Sequence, residues 1–529
     1  MIPAHGATPP HPYPWNQPHC PCDRTLHVGT PAQAGLVPEA LTDIDGIVSR
    51  LLTRRAAPGA VVLVARRGVI AKWKAYGYAL LYKNADYDRV GHPLPMQKDE
   101  IFDMASVSKL FTATAVMQLW DEGKFKLDDP VAKYLPEFGV NGKGNVTIRQ
   151  LLTHTSGFRP DPATPLYKVK GSRADRLDFV LQLPLAHPPG THYVYSDINF
   201  LVLGALIEHL SGEREDVFIR EHLTAPLHMR DTMYDPPARL KPRIAASEYQ
   251  PWTGRGLLWG QVDDENAWAL DGVAGHAGIF SSAHDLAVFG QMMLNGGTYD
   301  GVRVLSEQAV KLLLTNWNQQ FPDDATGLGW SIDRGYLMGA LSGPETAGHE
   351  GFTGTMIAIN PNNDIVAILL TNRVHPTRHG ASIVTAIRQV FTGIANAIPV
   401  NAPQGGKAWF SGYGDYLNRT LTARVKPQDG AMLSFKTWYR LAPGNDFGSV
   451  EASSDGVHWK ELDLLTGYSN GWQSKRVALP ADTRYIQFRY RTDSRTNGRG
   501  WYVDALRVGV DGSMVSPEVT DSEWHKRDD

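Results

Sequence analysis

Hydrophobic and polar positions follow three regimes along this chain. Residues 1–30 are Pro-rich without apolar periodicity and read as an arm. From 31 to 400, strand-like and helix-like patterns alternate. "GAVVLVARRGVIAKWKAYGYA" reads as two strands joined at Arg66-Arg67-Gly68. After Lys109, residues Leu110, Phe111, Ala113, Val116, Leu119 and Trp120 recur at helical spacing. "DINFLVLGALIEHLSG" predicts a second apolar helix that stops at Gly212. "GTMIAIN" and "DIVAILLTN" predict strands around the turn Pro361-Asn362-Asn363-Asp364, and "SIVTAIRQVFTGIANAI" predicts a closing helix. A β-hairpin, a helical insert, late strands and a final helix imply one sheet completed by distant segments. The fold class is α+β, with a helical subdomain.

The third regime begins at Asn401, where "NAPQGGKAW" reads as a linker. Beyond it come short alternating strands: "AMLSFKTWYRL", "GSVEASSDG", "RYIQFRYRT" and "GWYVDALRVGV", separated by Gly/Asn/Asp turns. They predict an all-β sandwich over 401–512, followed by a charged, frayed tail over 513–529. Each part is expected to own its core, so a cut within Asn401–Lys407 would leave a folded 31–400 fragment.

Composition narrows the classes. The chain has 529 residues, 42% hydrophobic and 20% charged, which suits a soluble globular protein. Lys+Arg 52 against Asp+Glu 55 gives a net charge of -3, which argues against nucleic-acid binding. No apolar stretch is long enough for a membrane span. Two cysteines exclude a disulfide scaffold. Cys20 and Cys22, near His5, His11 and His19, lack the spacing of a complete zinc site and read as arm thiols. The start "MIPAHG" lacks a signal-peptide pattern, so the protein is either cytoplasmic or secreted or periplasmic with its signal absent from this sequence.

The candidate chemistry starts at Ser106-Val107-Ser108-Lys109. Three residues along a helix return to the same face, so Ser106 Oγ and Lys109 Nζ can meet. A serine hydroxyl needs a neighbour to take its proton, and a helix N-terminus aims N–H groups at an oxyanion. The alternative is an N-capping serine beside a solvated lysine. Further blocks stand in order: "NVTIRQLLTHTSGF", "PPGTHYVYSDINFLVLGALIEHLSG", "GVAGHAGIFSSAHDLAVFGQMMLNGG" and "AGHEGFTGTMIAINPNNDIVAILLTN".

Together with the Ser106 stretch, these blocks resemble the serine β-lactamase and DD-peptidase superfamily, in its class C-like branch, over residues 31–400. The resemblance implies an antiparallel sheet flanked by helices and a metal-independent acyl-enzyme route. Tyr195-Ser196-Asp197 stands at the family's Tyr-x-Asn element and implies Tyr195 as general base and acid. Asp197 departs from the amide, cannot donate to a substrate carbonyl, and would hold Lys109 protonated. His349-Glu350-Gly351 stands where Lys-Thr-Gly or His-x-Gly occurs. There Gly351 would let substrate backbone approach the strand edge, and His349 would polarise the site while mostly neutral. The N–H groups of Ser106 and Phe352 would form the oxyanion hole.

Two other features are read as structural. Gly467-Tyr468-Ser469-Asn470-Gly471 matches a Gly-x-Ser-x-Gly elbow, but no helix follows it. His154 and His276 lack zinc spacing and sit beside glycine turns. The C-terminal strings "DFGSVEASSDGVHWKEL", "GYSNGW" and "GRGWYVDALRV" resemble the jelly-roll-like domain of immune inhibitor A-type secreted peptidases. This implies a glycan or cell-surface ligand and a calcium ion with Asp504 as a ligand. The expected function is a serine hydrolase, esterase-like or D-amino-acid peptidase-like, acting on a small ester, amide or peptide without a catalytic cofactor. The alternatives are a true β-lactamase, or a non-catalytic scaffold with a degenerate fold. Glu350 and Asp197 add negative charge near the nucleophile, so neutral substrates should outcompete β-lactams.

Overall fold

The computed structural model describes residues 24–403, 405–469, 471–494, 498–510 and 512–527. Most of the Pro-rich arm, with Cys20, Cys22 and their neighbouring histidines, lies outside the described residues. Gly59–Arg66 is buried along its whole length because it serves two cores at once. Val61, Leu63 and Ala65 face one core, while Ala60, Val62 and Val64 face the other, as the two-residue alternation of a strand requires. Ile365–Thr371 does the same through Val366, Ile368 and Leu370 against Ile365, Ala367 and Leu369. That explains why both segments read as continuous apolar runs.

These strands lie at the centre of an eight-stranded sheet. Its order is His27–Val28, Val69–Tyr82, Gly59–Arg66, Ile365–Thr371, Thr355–Asn360, Ala347–Gly351, Ser331–Ile332, with Arg89–Pro95 paired to Val69–Tyr82. All pairings are antiparallel except His27–Val28, which runs parallel to Val69–Tyr82. His27 and Val28 fall inside the stretch expected to be an arm, so the sheet begins earlier than the pattern suggested. Ser108–Asp121 and Ala283–Leu294 contribute to the core on one face, and Pro38–Thr53 with Val384–Ala397 cover the other. Ser108–Asp121 is buried on nearly every side, which a helix apolar all round demands. The predicted helix over 197–212 is Asp197–Ser211, capped by Gly212 at φ 76°.

The C-terminal region forms two five-stranded antiparallel sheets packed around their own core. One runs Gln473–Ala478, Met432–Arg440, Gly500–Gly509, Ala408–Phe410, His525–Arg527. The other runs Lys460–Leu465, Phe447–Ser453, Tyr485–Arg491, Asn418–Arg424, Glu518–Ser522. The stretch expected to be a frayed tail therefore supplies an edge strand to each sheet, and the buried Trp524 lies between those two strands. Its charged residues occupy edges, where one side of the strand remains in water.

A second expectation also changes. Ala408, Phe410, Trp438 and Tyr502 of the sandwich belong to the same core as helices Pro38–Thr53 and Val384–Ala397. The buried Arg440 donates to Glu345 at 2.8 Å and to the Ser342 carbonyl at 2.6 Å. Arg499, also buried, reaches the Ala395 carbonyl at 3.3 Å. The two regions share apolar surface and buried cations, so the 31–400 segment does not close its core alone. Removing the chain after residue 400 should yield a fragment that melts earlier and aggregates. Trp438→Ala in the full chain should cost about 3–5 kcal/mol, as truncation of a buried tryptophan does. Thermal melts check both, and a truncated chain melting with the parent would contradict the shared core.

Candidate active site

The turn that carries Ser106 is held from several sides. Ile101–Asp103 pairs with Ile279–Ser282, and the chain then bends through Ala105 at φ 46°, a left-handed conformation unfavourable for a residue with a Cβ. Asp103 supports this bend by accepting the Ala105 N–H at 2.8 Å and the Asp263 N–H at 2.6 Å. Burial pushes the Asp103 carboxyl up to about 6, with the two N–H bonds opposing that rise. Thr353 and Thr355 donate to the carbonyls of Asp103 and Met104 at 2.7 and 3.0 Å. A Cβ on Gly351 would lie 2.4 Å from the Met104 carbonyl oxygen. Gly351 is thus required for the strand to press against the Ser106 turn.

Lys109, with no exposed surface, is the centre of the site. Its Nζ lies 2.8 Å from Ser106 Oγ, 2.7 Å from Tyr195 Oη, 2.7 Å from Asp197 Oδ1 and 3.3 Å from the His276 carbonyl. Burial alone would lower the ammonium, but Asp197 and Tyr195 outweigh it and hold Lys109 above its ordinary value. Tyr195 is 38% exposed, with its hydroxyl turned inward against Lys109. Burial of its hydroxyl raises the phenol above its ordinary range and Asp197 adds to this, while Lys109 pulls the other way.

His349 is buried, its ring 5.9 Å from that of Tyr195, and its Nδ1 donates to the Glu350 carbonyl at 2.7 Å. Burial depresses it to about 4, so it is neutral at pH 7. Glu350 points to the opposite face, where it lines a cavity of 380 Å³ with Tyr336, Phe352 and Arg373. The N–H groups of Ser106 and Phe352 find no acceptor among the described residues.

The histidines read as structural both touch this site. His154 packs its ring 4.7 Å from that of Tyr195, and its Nδ1 accepts the Ser196 N–H at 3.0 Å. Burial and the nearby Lys109 hold it well below its ordinary value. His276 pairs with Asp264 at 2.9 Å and lends its carbonyl to Lys109. Ligand atoms of Asp197, Asp264 and His276 lie within 4.8 Å of one another, but Lys109 already neutralises Asp197 there. His154 and His276 stood in two of the quoted blocks; Asp103 and Asp264 carried no sequence signal.

Tyr82 and Tyr416 also begin Tyr-x-Asn strings, and both lie elsewhere. Tyr82 is buried in a strand of the main sheet, and Tyr416 is an exposed loop residue. Ser469 is buried in a turn that leads into the strand Gln473–Ala478, and it bonds to the Tyr439 backbone. Asn470 lies outside the described residues. Asp504 faces Lys436 across the strand pair and joins no group of three His, Cys, Asp or Glu side chains among the described residues. That donor set does not fit a calcium ion.

The Beta-lactamase family profile matches residues 44–391. A "Putative D-alanyl-D-alanine carboxypeptidase" of Salmonella agona is 34% identical over 380 residues, spanning 66% of this chain and 86% of the relative. Among solved structures, "EstCE1, a hydrolase with promiscuous acyltransferase activity" is similar with a TM-score of 0.54 and 23% identity, over 68% of this chain and 99% of that one. A penicillin-binding protein homolog from Caulobacter crescentus is similar at TM-score 0.54 and 19% identity, over 68% of this chain and 99% of that one. These two structures support the fold.

The neutral His349 makes stability depend on pH. Below the ordinary histidine value of 6.5 the unfolded chain takes a proton that the folded site refuses until about pH 4. Its contribution is therefore complete above 6.5 and is lost as pH falls towards 4. Urea melts at pH 7 and pH 4.5 should show a larger loss for the parent than for His349→Gln. Equal losses would contradict the buried neutral ring.

Proposed function

This chain belongs to the beta-lactamase family and is a serine hydrolase, and from that premise we propose that it cleaves a D-amino-acid peptide or small ester through an acyl-enzyme on Ser106. The observation that carries the reading is Lys109 Nζ within 2.8 Å of Ser106 Oγ and 2.7 Å of both Tyr195 Oη and Asp197 Oδ1. Serine hydrolases of this family need no cofactor for catalysis.

In this reading Ser106 Oγ attacks the carbonyl carbon, and the new oxyanion meets the N–H groups of Ser106 and Phe352. Asp197 keeps Lys109 charged, and burial keeps the Tyr195 phenol protonated. The Ser106 proton therefore enters at Lys109 Nζ as another leaves Nζ for Asp197, so that Lys109 stays an ammonium and Asp197 becomes neutral. Tyr195 then serves as the acid towards the leaving group and recovers a proton from the same network. Water repeats the sequence in reverse to release the acyl group. A base role for Tyr195 at rest fits less well, because its phenol is held protonated.

In this reading a carboxylate on the leaving group passes the strand end at Gly351 and Phe352 to reach a cation. Arg373 lines the 380 Å³ cavity beside Gly351 and Phe352, and it makes no ion pair among the described residues. Its Nε is buried and unbonded, and burial pulls the guanidinium below its ordinary value. A carboxylate entering there would compensate this group, as the terminal carboxylate of a peptide could. Glu350 lines the same cavity and repels any carboxylate placed against the strand, which leaves the Arg373 side as the position where one is compensated. Small neutral esters remain compatible, since Phe352 and Tyr336 offer exposed aromatic faces. For the sandwich we propose attachment to a glycan or cell surface. A 680 Å³ cleft lined by Arg424, Lys426, Arg484, Tyr485 and Glu518 would receive such a ligand.

Ser106→Ala should abolish fluorophosphonate labelling and lower turnover by several orders of magnitude, and Lys109→Ala should cost nearly as much. An adduct on Ser469, or full activity without Ser106, would overturn the assignment. Arg373→Ala should slow cleavage of a D-alanyl-D-alanine peptide by about 10-fold or more, as loss of a charged hydrogen bond does, while p-nitrophenyl acetate turnover stays within about twofold. Equal effects on both substrates would remove Arg373 from carboxylate recognition.

A further inference from the structure

The buried His276 is connected to the nucleophile by a continuous set of contacts. Asp264 is fixed first: it caps the helix Glu265–Ala269, its Oδ1 accepting the Ala267 N–H at 2.7 Å. The same oxygen pairs with His276 Nε2 at 2.9 Å. The carbonyl of His276 then accepts from Lys109 Nζ at 3.3 Å, and Nζ reaches Ser106 Oγ at 2.8 Å. Neighbouring contacts leave this carbonyl little freedom. A Cβ on Gly275 would lie 2.1 Å from the Phe200 carbonyl, so the turn presses directly on the helix Asp197–Ser211 that carries Asp197. The Gly275 carbonyl accepts from Thr112 at 2.8 Å, one turn along the helix from Lys109.

The ring is also placed among charges. Asp264 and Asp197 lie on one side, Lys109 beside them, and Glu215 and Asp161 further out. Burial would lower the imidazole, but Asp264 outweighs it and holds His276 above its ordinary value. The result places two carboxylates, the Lys109 ammonium and the His276 ring within one small cluster, where the Asp197–Lys109 and Asp264–His276 pairs are each in contact. Such an arrangement resists displacement of any single member.

We infer that His276, anchored by Asp264, is a positioning residue: its carbonyl, the longest of four acceptors that share the three Lys109 N–H groups, limits how far the ammonium can swing away from Ser106. This rests on the reading of Ser106 as nucleophile. The ring touches no substrate; it acts through its own backbone carbonyl. Without the ring's anchor, the 273–278 turn can shift by a fraction of an ångström. Lys109 would then lean towards Asp197 and Tyr195 and away from Ser106, which slows acylation without altering the substrate pocket.

The test measures kcat and KM for p-nitrophenyl acetate in the full chain, beside fluorophosphonate labelling rate and thermal melting. His276→Ala should lower kcat and the labelling rate by about 10²-fold, the effect of a small misplacement at a reacting centre, with KM within about twofold. His276→Gln, whose amide can still donate to Asp264, should recover activity to within about tenfold of the parent. If His276→Ala does not fold, Asp264→Asn carries the test. It keeps an oxygen for the helix cap but loses the charge that holds the ring, and the same kcat loss is expected. A folded His276→Ala or Asp264→Asn with parental kcat would overturn the inference, as would a rise in KM alone. So would a His276→Gln protein no better than His276→Ala. Absence of any Ser106 adduct in the parent would instead sink the proposed function and is read separately.

Discussion

Burying the ammonium of Lys109 is the constraint around which the hydrolase region is built. A charge taken out of water is tolerable only with a close counter-ion and full hydrogen bonding. Lys109 obtains both from its own helical turn and from two distant segments. Ser106 lies on the preceding helical turn, Tyr195 is 86 residues further along, and the His276 carbonyl 167. Asp197 supplies the counter-charge from the first turn of its helix, only two residues beyond Tyr195. Satisfying one buried cation therefore docks the helical subdomain onto the helix that carries Lys109. The same contacts that stabilise the ion also assemble the chemistry.

The geometry of Ser106 depends on a second, smaller cost. Ala105 is held at φ 46°, which is unfavourable by roughly 1–3 kcal/mol for a residue with a side chain. The surrounding structure overrides this through Asp103 beneath the turn and Thr353 and Thr355 from the adjoining hairpin. The Ser106 N–H at this bend, like the Phe352 N–H, finds no acceptor among the described residues. Strain in the backbone, supported by a buried carboxyl, is thus the structural source of the candidate oxyanion site.

The two regions of the chain are joined more firmly than a linker implies. Phe410, Trp438 and Tyr502 extend the core under helices Pro38–Thr53 and Val384–Ala397. Arg440 and Arg499 are buried at the same boundary with their donors directed at carbonyls and Glu345. The helix Val384–Ala397 also borders the cavity that holds Arg373 and Glu350, through Val384 and Ile387. The sandwich thus packs against a helix that forms one wall of that cavity.

Local pattern determined much of this protein. Apolar runs at strand and helix spacing located the central strands and the helices at 108–121, 197–211 and 384–397. The Ser-x-x-Lys spacing placed two groups on one helical face, and Tyr195 and Asp197 followed from a block whose order matched a family. Those features are legible because hydrogen bonds within a helix or hairpin link residues close in sequence. Other features required the folded chain. Asp264 and Asp103 carry no distinctive neighbours, and their roles arise only when remote backbone N–H groups and a histidine are brought against them. His276 looked structural because its ring has no ligand spacing; its carbonyl reaches the site only through the contact of Gly275 with Phe200. The edge strands at 518–522 and 525–527 are charged because they lie in water on one side, so their composition resembled a frayed tail. Shared burial between the sandwich and the hydrolase helices was likewise invisible, because periodicity shows that a face is apolar and not which surface will cover it.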